Sequence, residues 1–388
     1  MDHRGRVYAA VLATLGFFLT IQLGALALVQ PFQRAGLQAV SNPSDPTNSF
    51  VYLGAILVAT GVFLLAIKLD VKWLIRGLIV LSSGSIALYV FSVLVPPFLV
   101  VSIGGTGLNA LAVGGAIALA LALLVYPEWY VIDGVGLVMG AGAAGLFGIS
   151  FGPLPAIVLL SVLAVYDAVS VYGTEHMLTL AEGVMEIKVP VVLVVPLTLS
   201  YSYLDGGSES EETEADEPGT EGGNSTEGDA DEPDELAPAA ESEAWIKDTP
   251  ENIGVEPAAN GGAIEGTGSE TSDEDDADEE GDSDGFGNRD AFFIGLGDAV
   301  MPTVMVASAA FFSPAPSLGI PAIALNLPAL TSLVGTLCGL VVLLWLVLKG
   351  RAHAGLPLLN GGAIGGYLLG ALASGISLVS ALGLGPYL

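Results

Sequence analysis

Apolar positions fall along this chain in long blocks rather than in the short alternations of a sheet or the narrow stripes of a soluble helix. Nine runs, at 7–29, 50–68, 75–96, 106–126, 132–151, 154–173, 291–312, 319–348 and 355–378, carry few charges. At about 1.5 Å per residue, a helix of about 20 residues crosses the ~30 Å hydrocarbon layer of a bilayer. The pattern predicts an all-α polytopic membrane protein with nine transmembrane helices. The run at 7–29 follows Arg4 and Arg6, as the core of a signal peptide would. It is longer than the usual signal core and has no clean cleavage site, so it reads as an uncleaved first span.

Basic residues orient the spans, because short cytoplasmic loops are enriched in Lys and Arg. With the N-terminus cytoplasmic, Arg4, Arg6, Lys68, Lys72, Arg76, Lys349 and Arg351 all fall on the inner side and Arg34 falls outside. Lys188, Lys247 and Arg289 share the inner side on the long connection between the sixth and seventh spans, and the C-terminus is left outside. The chain divides into 1–188 with the first six spans, 189–204 as a connector, 205–290 as a long loop, and 291–388 with the last three spans. The connector holds Val189-Pro-Val-Val-Leu-Val-Val-Pro196, too short and proline-broken to span, with the β-branched content of a strand. It reads equally as a strand or as a connector at the membrane surface. Glu175, His176, Glu182, Glu186 and Lys188 follow the sixth span with the spacing of a solvated amphipathic extension.

Charge changes the picture mainly for the loop. The 388 residues are 52% hydrophobic and carry a formal charge of −30. Of the 41 acidic residues, 31 lie between Asp205 and Asp290 against Lys247 and Arg289, so that segment carries −29 and the rest is almost neutral. Its Glu, Asp, Gly, Ser, Thr and Pro cannot bury enough apolar surface to fold, and it reads as a disordered cytoplasmic loop. So large an acid excess keeps a loop hydrated at very high salt, which points to the cell membrane of a salt-loving archaeon. The one cysteine, Cys338, excludes a disulfide framework, and His3, His176 and His353 are too scattered for a metal site. Neither a metal nor a cofactor is expected.

Two carboxylates interrupt the apolar blocks. Asp298 stands in Gly295-Leu296-Gly297-Asp298-Ala-Val-Met-Pro302, and Asp167 follows Tyr166 in the sixth run. An ionised side chain at membrane depth costs at least a few kcal/mol, so an acid kept there marks a working site. Counted from the cytoplasmic ends of the expected helices, Asp298 lies about 10 Å deep and Asp167 about 9 Å deep. Packed as antiparallel neighbours, the two helices would hold both carboxylates at one level, where they share a proton. One can activate a water as general base while the other, as acid, polarises a scissile carbonyl. Gly295 and Gly297 leave room for a close neighbour or an extended substrate, and Pro302 loosens the helix one turn beyond Asp298.

Tyr166-Asp167 followed by Gly295-Leu-Gly-Asp298 resembles the presenilin and signal peptide peptidase family of intramembrane aspartyl proteases, in which a Tyr-Asp helix precedes a Gly-x-Gly-Asp helix. The likeness covers the order of nine helices and the long loop between the sixth and seventh. Tyr166-Asp-Ala-Val-Ser-Val-Tyr-Gly-Thr-Glu-His-Met177 is similar to the archaeal presenilin-type proteins, and Gly-Leu-Gly-Asp298-Ala-Val-Met-Pro302 to the signal peptide peptidase form. The family's third motif, Pro-Ala-Leu, begins the ninth helix near the cytoplasmic face. Pro328-Ala329-Leu330 sits in the outer part of the eighth span, at the wrong depth, and Ala354-Gly355-Leu356-Pro357 is the better match.

The resemblance implies Asp167 and Asp298 as a catalytic dyad, with Tyr166, Gly295, Leu296, Gly297, Leu356 and Pro357 supporting the substrate. It implies an aspartic endopeptidase that hydrolyses peptide bonds of transmembrane helices without a metal. Its partners are transmembrane segments of other proteins and the lipid bilayer, with no nucleic acid; self-association into a homo-oligomer is left open. Paired intramembrane acids also suit a proton-coupled transporter, which would show repeated hydropathy halves that this chain lacks. A prepilin-type peptidase would place its first acid in a cytoplasmic loop. Opening a substrate helix frees backbone groups that need partners, and Val191–Val195 offers a strand edge for them.

Overall fold

The structure, a computed structural model, describes residues 3–69, 71–103, 106–173, 192–196, 291–349 and 354–385. The apolar blocks are helices: α1 (His3–Arg34), α2 (Thr47–Lys68), α3 (Lys72–Leu94), α4 (Ala110–Val125), α5 (Trp129–Ser150), α6 (Pro153–Gly173), α7 (Leu296–Phe312), α8 (Leu327–Leu348) and α9 (Gly355–Ala373), with a short α10 (Leu378–Ala381). The protein is mostly helical rather than wholly so. Extended residues form two antiparallel ribbons, β1 (Val100–Ile103) with β2 (Thr106–Asn109), and β3 (Val192–Pro196) with β4 (Ala291–Gly295). Among the described residues seven helices, α1, α2, α3, α5, α6, α8 and α9, are long and apolar enough to cross a membrane. Helices α4 and α7 are apolar but shorter, at 16 and 17 residues. The acidic loop at 205–290 and the extension from Glu175 to Lys188 lie outside the described residues.

Three boundaries differ from the hydropathy reading, each for a local reason. The run at 106–126 begins as β2, and its helix starts at Ala110, where the Asn109 side chain accepts the Leu111 N–H at 3.2 Å as a cap. The run at 319–348 begins as a loop in which Gly319 and Ala322 take left-handed backbone, φ 71° and 62°. Helix α8 starts at Leu327, capped by Asn326, whose Oδ1 accepts the Ala329 N–H at 2.9 Å. The run at 291–312 matters most. Its first 5 residues are β4, and the helix begins only at Leu296. A short apolar stretch suits helix or strand equally; pairing with the valine-rich β3, from Val192 opposite Gly295 to Pro196 opposite Ala291, decides it. Asp298 therefore stands in the first turn of α7, not about two turns inside it as a continuous helix would have it.

Small residues set how closely the helices approach. A Cβ at Gly366 of α9 would lie 3.0 Å from the Ser332 Cα of α8, and one at Gly339 would lie 3.3 Å from the Leu359 Cα, so these two helices meet backbone to backbone. The Ser332 hydroxyl donates across this seam to the Ala363 carbonyl at 2.9 Å. Phe151, Leu160, Met305, Leu333 and Tyr367 join α6 to α9 in a shared core, and the Tyr367 hydroxyl holds α10 by donating to the Ala381 carbonyl at 2.6 Å. Helix α2 is peripheral: only 6% of its spanning window is buried, and Leu57, Val58, Val62 and Leu65 face outward. Such a face is suited to lipid tails.

Candidate active site

Asp167 lies on the interior of α6 and is only 6% exposed. Its neighbour Tyr166 points to another face and is 41% exposed, as the rotation of about 100° per residue requires. What Asp167 meets is the beginning of α9. Ala354 is extended there (φ −62°, ψ 124°), so the first backbone donors of the helix have no carbonyl behind them. The Leu356 N–H donates to Asp167 Oδ2 at 3.0 Å, and the Gly355 N–H also donates to this carboxylate. A helix N-terminus is a natural seat for a carboxylate, combining free donors with the positive end of the helix dipole. Pro357 follows at a position where a missing N–H costs nothing.

Asp298 comes from the other side. Strand β4 ends at Gly295, which caps α7 (φ −58°, ψ 127°), and Asp298 is the acid of the first helical turn. It is half-buried and lies within electrostatic reach of Asp167. A Cβ at Gly295 would come 3.2 Å from Asp298 Oδ2, so the acid would have to shift by a few tenths of an ångström to admit one. Gly297 is exposed, with open space where a Cβ would be. Pro302 cannot give the N–H that would close a helical bond onto the Asp298 carbonyl. Leu296 turns away from this open side; it is 4% exposed and packs against α5, where Gly136 and Gly140 make room for it. It anchors the motif and does not line space open to a substrate.

Strand β3 is held on both sides. One edge pairs with β4, and at the other the Val194 N–H donates to Asp133 Oδ1 of α5 at 2.8 Å. Because backbone groups alternate between the two edges of a strand, Val194 and its opposite residue Phe293 both direct their N–H and C=O out of the ribbon. On β3 that outward edge meets α5; on β4 the outward edge belongs to Ala291, Phe293 and Gly295. The Val194 donor on the strand edge expected of Val191–Val195 is thus taken by α5, and the outward edge of β4 is the other edge of the ribbon.

Beside Asp167, helices α6 and α9 enclose a groove of about 330 Å³ lined by Leu160, Ala164 and Ala168 from α6 and by Pro357, Asn360 and Ile364 from α9. Asn360 donates to the Leu160 carbonyl at 3.0 Å and ties the two helices together. Sequence reasoning passed over Asp133, although the signal was the one that flagged the other two acids: a single carboxylate in an apolar run. It also missed that the motif at 354–357 contributes backbone donors to Asp167. Of the two stretches that echo Pro-Ala-Leu, this is the one that touches the acid; Pro328-Ala329-Leu330 opens α8 and packs by Gly370.

Residues 15–226 and 254–376 match the profile of the family described as signal-peptide peptidase, presenilin aspartyl protease. The chain belongs to this family. Among solved structures it is similar to a presenilin family intramembrane aspartate protease in a C222 crystal form, with 27% identity, a TM-score of 0.54, and 94% of this chain and 99% of the other covered. A P2 crystal form of such a protease gives 28% identity and a TM-score of 0.52, over 93% of this chain and 97% of the other. Among curated proteins none matches. For a member of the presenilin and signal-peptide peptidase family, the two acids described above are the residues to examine first.

Proposed function

We propose that the protein is an intramembrane aspartic endopeptidase in which Asp167 and Asp298 are the catalytic pair. The observation that carries this reading is the convergence of the two acids, from the interior of α6 and the first turn of α7, on one site beside an apolar groove. The pair holds one proton between two carboxylates. The ionised member takes a proton from a water as the water oxygen attacks the scissile carbonyl carbon, and the protonated member gives its proton to the carbonyl oxygen. The resulting gem-diol collapses: the C–N bond breaks, the amide nitrogen takes the first proton, and a hydroxyl proton returns to the second carboxylate. No metal enters these steps.

The substrate is a transmembrane helix of another protein. Its scissile bond must leave the helix, and the freed backbone groups need partners in a medium with little water. The outward edge of β4 offers them at Ala291, Phe293 and Gly295, three to seven residues before Asp298. In this reading the exposed side of Gly297, the groove bounded by Pro357, and Tyr166 serve the same substrate. A second reading, proton-coupled transport, has no observation in its favour. All of α1 to α9 cross the membrane in this reading, with α4 and α7 as short spans and the N-terminus cytoplasmic. The acidic segment then lies in a cytoplasm of high salt, as in a halophilic archaeon.

The test is direct. Purified protein in detergent at high salt is incubated with a panel of transmembrane peptides, and fragments are read by mass spectrometry. Cuts inside the apolar stretch, absent with Asp167→Asn and with Asp298→Asn, are the expected outcome. Cuts that persist in either variant would overturn the assignment.

A further inference from the structure

We infer that Asp133 is a positioning residue for proteolysis, the anchor that fixes the β3–β4 ribbon and through it Asp298. The inference rests on reading Asp298 as catalytic and adds a third carboxylate, one that acts through the backbone of β3. Asp133 is 3% exposed on α5, and its Oδ1 takes the outward N–H of Val194 in the middle of β3. No other polar contact explains it: among the described residues its Oδ2 is buried without a hydrogen-bond partner. A carboxylate set in an apolar run for a single backbone bond is a costly way to hold a strand, so what it holds must matter.

The face of α5 that bears Asp133 extends the same contact. Positions 133, 136 and 140 form one stripe of the helix. A Cβ at Gly136 would lie 3.1 Å from Leu193 Cδ2 and 3.9 Å from Leu296 Cδ1, and one at Gly140 would lie 3.1 Å from Leu296 Cδ1 and 3.4 Å from Val300 Cγ2. One stripe therefore seats β3 and then the first turn of α7, a step further along α5. Of its contacts, those at Gly136 and Gly140 are apolar and free to slide. The bond from Asp133 to Val194 is directional, and it sets the register of β3 along α5. Because β3 is paired residue for residue with β4, and β4 runs without a break into Gly295 and Asp298, that register is passed to the catalytic turn and to the open edge of β4.

The experiment compares Asp133→Leu, Asp133→Asn, Val194→Pro and the Asp133→Leu/Val194→Pro double variant, with Asp298→Asn alongside, in detergent with a single transmembrane peptide. Thermal midpoint, kcat, KM and the spread of cut sites by mass spectrometry are recorded. Asp133→Leu removes the acceptor, and Val194→Pro removes the donor without touching the β3–β4 ladder. Each should lower kcat by about ten- to a hundredfold, more than it raises KM, as expected for an ångström-scale misplacement of a reacting group, and should broaden the cut sites. The double variant should be no worse than the more impaired single one. Asp133→Asn keeps an acceptor and should restore kcat and a single cut.

Asp133→Leu that folds and cuts like the wild type overturns the inference, and so does Asp133→Asn as inactive as Asp133→Leu, which would make the charge rather than the hydrogen bond the working feature. If Asp133→Leu fails to fold, Val194→Pro decides: a normal kcat and an unchanged cut site overturn the inference. Proteolysis that survives in Asp298→Asn strikes the reading of the catalytic pair instead, so the two failures are told apart.

Discussion

Asp167 and Asp298 arrive at one site on different supports. Asp167 sits well inside α6, its backbone fixed by helical bonds on both sides, and its carboxylate is tied by the Leu356 and Gly355 donors of α9. Asp298 stands in the first turn of α7, immediately after a strand. A helix interior supplies its own hydrogen bonds, whereas a two-stranded ribbon is marginal without something to lie on. Here that support is α5, through Asp133, Gly136 and Gly140. The Asp167 side is therefore rigid by construction, and the Asp298 side is only as well placed as the ribbon beneath it, the same ribbon whose outer edge is proposed to pair with substrate.

The comparison breaks first at the acids themselves. Asp167→Ala and Asp298→Ala should each lower cleavage by at least about a hundredfold, and the double variant should be no worse, since the pair works as one unit. Both variants should keep the thermal midpoint of the parent, because neither acid is the sole support of its helix. Peptide cleavage at the parental rate by either single variant would separate the two acids and end the comparison.

The next largest effect isolates the rigid side. Leu356→Pro deletes the N–H that donates to Asp167 at a position of α9 where proline is tolerated. Hydrogen bonds to charged groups are worth about 1.5–3 kcal/mol, so kcat should fall by about ten- to a hundredfold. Leu356→Ala keeps the N–H and should keep most of the activity. If the two substitutions behave alike, the side chain matters and the backbone donor does not.

Much of this site was legible in the chain, because its strongest signal is a cost. A lone carboxylate in an apolar run has few explanations, and Asp167 and Asp298 stand out on that ground alone. Asp133 bears the same mark and went unread, since no neighbouring motif drew attention to it. What periodicity could not convey was the break at Gly295. Ala291-Phe-Phe-Ile is apolar in either conformation, and only the pairing of β4 with a strand some 95 residues earlier in sequence makes it extended. The donors of Gly355 and Leu356 were hidden for a related reason: a backbone N–H has no letter of its own, and which ones are free depends on where a helix begins. The open edge passed from β3 to β4 by the same kind of long-range fact, the seating of Val194 on α5.

A smaller effect sharpens the ribbon side. Phe293→Pro removes an outward N–H from β4, and Val192→Pro removes one from β3, with neither touching a bond between the strands. If substrate adds to β4, Phe293→Pro should reduce cleavage by about tenfold, the worth of one or two backbone hydrogen bonds. Phe293→Ala controls for the lost ring and should do less harm, and Val192→Pro should leave cleavage within about threefold of the parent. Equal loss in both proline variants would mean that proline merely weakens the ribbon, and equal survival would remove the β4 edge from substrate binding.

The smallest effect concerns what joins the two supports. Residues 205–285 lie in the connection from β3 to β4 and hold most of the chain's acid excess, with few side chains able to form a core. The cost of closing a flexible loop grows only with the logarithm of its length. Deleting 205–285 shortens the connection by just under three doublings, which lowers that cost by roughly 2 kcal/mol. The ribbon should therefore be no less stable without the segment, and the thermal midpoint should hold or rise by a few degrees at high salt. Repulsion among the acids adds little there, because the screening length is only about 3 Å at 1 M salt. Cleavage of a peptide with short polar ends should stay within about threefold, since the segment's composition gives it no core with which to support Asp167 or Asp298. A fall in midpoint of more than a few degrees, or loss of cleavage with the midpoint intact, would show instead that the segment docks on the helices and acts as a third support of the site.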